Sequence, residues 1–167
     1  MLTTAQHWLD LFGVRTDDPR WIAIEKHYSV DSRKIQLIHG SGRLHIKSAG
    51  VYVMLFKTVR GGPSPLEVWG IEFVRKGARG GVGFAGGLPE ALDWNQSRAA
   101  LRTRFGAPET NPHAKLFDGW MRGDRRIGVN FSKDERSIAS VFVALPPGAV
   151  FEKWRQNERT SSTATNP

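Results

Sequence analysis

The sequence contains no cysteine, which removes disulfide bonds, a thiolate nucleophile and cysteine-ligated zinc at one stroke. Long apolar runs are missing as well: no stretch reaches the ~18 uncharged apolar residues that a membrane-spanning helix needs. Residues Met1 to Val14 lack a basic leading region, and Asp10 interrupts them, so no secretory leader is read there. These absences imply a cytoplasmic chain with no membrane partner. Catalytic and metal-binding signatures are equally scarce. The five histidines, His7, His27, His39, His45 and His113, form no HxH or HExxH pattern, and His39 and His45, which could flank one hairpin, have no carboxylate at ligand spacing beside them. There is no GxSxG elbow to activate a serine. The expectation is a non-enzymatic protein that uses no cofactor and no metal and acts by binding another macromolecule.

What is present is apolar bulk and positive charge. Forty per cent of the residues are hydrophobic, with 6 Trp and 9 Phe, enough for a sizeable interior. Twenty-four basic against 16 acidic residues give a net charge of +8 and a pI near 10.3. That balance favours acidic partners and disfavours basic ones.

Thr3 or Thr4 can cap a first helix, in which Leu2, Ala5, Trp8 or Leu9, and Phe12 recur at helical spacing before Gly13. Thr16-Asp17-Asp18-Pro19 reads as a turn. Alternating apolar residues then predict strands at 34–38, 43–46, 51–56 and 66–73. After a glycine-rich bridge over 77–89, Asp93 or Asn95 can cap a second helix over 97–105, with Ala100, Leu101 and Phe105 as its apolar stripe. Arg98 and Arg102, four apart, share its exposed face. Strands follow at 115–121, 126–131 and 137–145, then a short helix over 149–156 and a polar tail over 157–167.

The order of these segments repeats. A helix ends in Leu11-Phe12-Gly13 and later in Arg104-Phe105-Gly106. Residues 50–57 and 68–74 then correspond to 126–133 and 138–143, each pair finishing a unit. The fold class expected is α+β: antiparallel sheets with helices on one face, built from two related helix–hairpin units. They would share a single domain over 1–156, with sub-units 1–76 and 84–145. Phe12 and Phe105 are then equivalent core anchors.

Gly81-Val82-Gly83-Phe84-Ala85-Gly86 matches a dinucleotide-binding fingerprint in letters only. Gly87-Leu88-Pro89 intervenes where a helix should open, so the segment reads as linker. Basic residues cluster at 75–79, at 98–104 and at 122–126, near Trp69, Trp94 and Trp120. No helix-turn-helix, RNP, KH or zinc pattern accompanies them. A nucleic-acid-associated or regulatory role is therefore the second reading, and nucleic acid is not the expected partner.

Residues 84–94, Ser97-Arg98, Arg104-Phe105-Gly106-Ala107-Pro108, Asp118-Gly119-Trp120 and the closing strands resemble bacterial immunity proteins of polymorphic toxin systems. The helix, Gly-Ala-Pro and strand pair also resemble the module of BamE-type lipoproteins, without their lipid-anchored cysteine. The resemblance implies an inhibitor that binds a cognate toxin domain and covers its active site or blocks its substrate. With a charge of +8, either the toxin is acidic at the contact, or the inhibitor uses a locally acidic patch such as Asp17-Asp18 with Glu25. The candidate contact residues are Arg98, Arg102, Trp120, Arg122, Arg125 and Arg126, because Arg and Trp dominate protein interfaces.

Overall fold

The computed structural model describes residues 3–58, 64–78, 81–109, 115–146 and 152. Helix α1 (Ala5–Leu9) starts at Thr4, whose hydroxyl accepts a hydrogen bond from the His7 amide. It stops earlier than the spacing to Phe12 implies, and Asp10–Phe12 turn the chain towards Gly13. The expected turn at residues 16–19 is the start of a helix that the sequence reading missed, α2 (Pro19–Tyr28). The Asp18 carboxylate caps it by accepting from the Arg20 amide, and Pro19 fits the first turn because it has no N–H to satisfy. The strand expected at 34–38 does not form. A short 3-10 turn (Ser32–Lys34) precedes a tight corner in which Ile38 and Ser41 exchange backbone hydrogen bonds, with His39 and Gly40 at positive φ.

Among the described residues six strands follow: β1 (Ser41–Ile46), β2 (Val51–Lys57), β3 (Leu66–Val74), β4 (Phe117–Arg122), β5 (Arg125–Phe131) and β6 (Ile138–Ala144). Each agrees with its expected segment to within two residues. Helix α3 (Arg98–Phe105) lies between β3 and β4, and Ser97, rather than Asp93 or Asn95, supplies its cap. All six strands join one antiparallel sheet in the order β1-β2-β3-β6-β5-β4. The architecture is α+β, with a three-stranded meander on each side of a central β3–β6 joint. The helix expected over 149–156 lies outside the described residues except for Glu152, and the tail over 157–167 lies outside them altogether.

One apolar cluster runs through both meanders. Trp8, Trp21 and Leu101 from the helices are completely buried in it with Val53, Val68 and Val141 from the sheet. Each such side chain contributes roughly 2–3 kcal/mol relative to exposure. Phe12 and Phe105 are half-buried at the margin of this cluster and not at its centre. On α3 only Leu101 is buried, and Ala100 faces solvent.

The opposite side of the sheet carries glycines roofed by rings from neighbouring strands. A Cβ on Gly128 would lie 2.5 Å from the Phe117 ring, and one on Gly70 would lie 2.9 Å from Phe142. The glycine run 81–86 serves the same purpose for backbone. A Cβ on Gly83 would fall 2.3 Å from the Lys76 amide nitrogen, while the Phe84 amide donates to the Val74 carbonyl and its ring packs on Phe73. These glycines permit close chain crossing.

Candidate functional site

The six candidate contact residues divide into two groups. Arg98, just inside the N-terminus of α3, turns inward. Its Nε and Nη2 donate to Asp118 at 3.1 and 2.7 Å, and its Nη1 donates to the Lys115 carbonyl and to Glu135. Arg102, one turn on, donates to the same carboxylate at 2.8 and 2.9 Å. Asp118 sits on β4 and is 2 % exposed. Burial alone would raise its pKa. The hydrogen bonds and charges of Arg102 and Arg98 outweigh that, and the carboxyl is lowered to about 2. The same hydrogen bonds raise both guanidinium pKa values. The i,i+4 arginines therefore clamp helix to sheet; Arg98 is withdrawn from the exposed face they were expected to share, while the Arg102 side chain remains 46 % exposed. The Arg98 side chain is only 14 % exposed.

Trp120 is also internal. It is buried, its Nε1 donates to the Gly106 carbonyl at 3.0 Å, and its ring meets Phe105 edge-on. It fixes the end of α3 and presents no surface to a partner. The Arg126 guanidinium sits close over Gly119 and pairs with Glu109 at 2.8 Å.

Arg122 and Arg125 are different. They flank the two-residue β4–β5 turn, Gly123-Asp124, in which Gly123 takes positive φ. Arg122 has Glu90 at 3.6 Å, and Arg125 has the exposed Asp124 at 3.9 Å. Both separations exceed a charge-assisted hydrogen bond. What positions these two is aromatic: the Arg122 guanidinium lies 5.0 Å from the Phe105 ring and that of Arg125 lies 5.1 Å from Phe12. The two phenylalanines that close the helical segments thus each carry one arginine of a single turn.

Beneath this pair is a cleft of about 400 Å³ between α1, the segment 87–90 and the sheet. Leu9, Leu88, Ile127 and Val143 form its floor, and Gln6 and Glu90 stand at its rim. Glu90 and Ala91 are consecutive non-glycine residues at φ 54 and 48, a conformation that costs about 1 kcal/mol or more each. Arg104 holds them there by donating to both carbonyls, at 2.6 and 3.3 Å.

No family model matches the chain, and no curated protein matches it either. Among solved structures it is similar to a cysteine-rich secretory protein from Staphylococcus aureus, with a TM-score of 0.52 and 11% sequence identity. The match covers 87% of this chain and 47% of that one, so the chain spans about half the length of the matched structure. The likeness is one of fold.

The residues of the acidic alternative make local contacts. Asp17 pairs with Arg15, Asp18 with the start of α2, and Glu25 accepts from the Ser32 amide. No group of three or more His, Asp or Glu side chains among the described residues could hold a metal ion, and no described helix is long and apolar enough to cross a membrane. The sequence reading overlooked Glu90, Arg104 and the Arg–Phe stacking. Neither glutamate nor alanine signals a left-handed backbone, so nothing local marks residues 90 and 91.

Proposed function

We propose that this chain is a cytoplasmic immunity protein that binds a cognate toxin domain and covers its active site or its substrate path. The observation that carries this reading is the presentation of Arg122 and Arg125. Two arginines with only loose internal ion pairs are held out on aromatic rings at one end of the sheet. Such residues suit an acidic protein surface, where planar guanidinium forks pair with carboxylates and speed encounter. An inhibitory patch needs roughly 800 Å² per partner around a few anchors of this kind. The net charge of +8 and the resemblance over residues 84–143 point the same way.

We further read the chain as two related units, each a helix and a three-stranded meander in the manner of the BamE-type module, with α2 inserted in the first. Thr4 and Ser97 cap corresponding helices, and β2 with β3 then stands where β5 with β6 stands in the other unit.

The test is protection. A candidate toxin domain, sought in the gene next to this one, is co-expressed with the wild type and with the double variant Arg122→Glu, Arg125→Glu, after each is shown to fold. Protection by the wild type, lost or weakened at least tenfold in the variant, is the expected result. A wild type that fails to protect ends the immunity reading; an unaffected variant moves the interface elsewhere.

A further inference from the structure

The cleft below Arg122 and Arg125 joins two chemistries that surface arginines alone do not offer. Its mouth carries two guanidinium groups, and its floor of Leu9, Leu88, Ile127 and Val143 is aliphatic. At about 400 Å³ it admits one or two side chains and no larger body. A carboxylate already stands at the rim: Glu90, 3.6 Å from Arg122. Its backbone is held by Arg104 in a left-handed turn, and its carboxylate stays outside hydrogen-bond distance of Arg122. Glu90 therefore occupies the carboxylate position loosely.

We propose that this cleft is the anchor pocket of the interface, and that it takes an acidic loop of the partner protein. One Asp or Glu carboxylate is shared by Arg122 and Arg125, and an adjoining aliphatic side chain rests on the floor, with Glu90 as the internal competitor that it displaces. The inference rests on the proposed binding function and specifies its contact chemistry. Charge complementarity selects the occupant. A basic or neutral segment leaves the two guanidinium groups with only their loose partners Glu90 and Asp124, whereas an incoming carboxylate supplies the close, charge-assisted geometry that neither reaches.

The prediction is one of opposite signs. Arg122→Ala or Arg125→Ala weakens binding of a carboxylate, while Glu90→Gln strengthens it by removing the competitor and keeping the shape. The probe is the blocked tripeptide leucyl-aspartyl-leucine, titrated into the full-length protein and followed by NMR at the arginine Nε–H and Ile127 amide signals. Leucyl-asparaginyl-leucine serves as the neutral control. A dissociation constant on the order of a millimolar is expected for one anchored carboxylate with its neighbour. It should weaken more than tenfold in either arginine variant and tighten several-fold in Glu90→Gln. Arg125→Lys, which retains charge without the fork, should fall between wild type and Arg125→Ala. The proposal is overturned by equal responses to the two peptides, by shifts confined to another face, by no shift at tens of millimolar, or by weaker binding in Glu90→Gln. This measurement involves no toxin. Peptide binding without protection would end the immunity reading alone, and protection without peptide binding would end the cleft proposal alone.

Discussion

Asp118 shows how much one residue can decide. Its carboxylate receives five hydrogen bonds closer than 3.2 Å from two guanidinium groups while almost fully withdrawn from water. Its folded pKa of about 2 lies below the ordinary carboxylate value of 3.8. A depressed carboxyl contributes stability that is complete above the unfolded pKa and is lost as pH falls through the folded one. The window therefore runs from about pH 4 down to 2, and the contribution is roughly 2 kcal/mol. Asp118→Asn should flatten denaturant stability across that window, and at neutral pH should cost about 3 kcal/mol by leaving Arg98 buried with less compensation. An unchanged acid limb in urea titrations would refute the assignment. The sequence made half of this visible. Arg98 and Arg102 stand one helical turn apart, and that spacing is local. Their shared acid is 16 to 20 residues away on a strand, and no periodicity links the two. Trp120 was misplaced for a related reason, since its indole partner is a carbonyl, which every residue possesses.

At the level of elements, alternation of apolar residues located six strands, because each has one side in the common core. The same signal failed at residues 34–38, where Ile35 and Leu37 pack against the core from a loop. It missed α2 because Asp18-Pro19 serves a helix start and a turn equally well, and only the buried Trp21 and Ile24 that follow separate the two. The ring-over-glycine pairs were also illegible: Gly128 and Phe117 are not direct partners in the register, where Gly128 faces Gly119 and Phe142. They yield a coupling test. Gly128→Ala should cost about 1–3 kcal/mol because the methyl collides with the Phe117 ring. With Phe117→Leu already in place the same change should cost distinctly less. A double-mutant cycle reads the difference, and strict additivity would mean that the ring does not depend on the hollow.

For the molecule as a whole, the central joint has a cost in time and in partner choice. Within each meander, short connections bring neighbouring strands together, whereas β3 and β6 pair residues about 70 positions apart, and such pairing is slow to form. Each meander should take shape first and the joint last. Ile71→Val, at the joint, is then expected mainly to raise the unfolding rate, and Ile127→Val, between β4 and β6, to slow folding. Similar fractional effects at both sites in chevron kinetics would show that the joint closes with the meanders. During that interval β3 and β6 each present an unpaired edge. A second molecule carries the same pair of edges in the same register, so the joint can close between chains as well as within one. Refolding at high concentration should therefore yield dimers that exchange α3 through β6, a form of kinship between copies set by the order in which the strands meet.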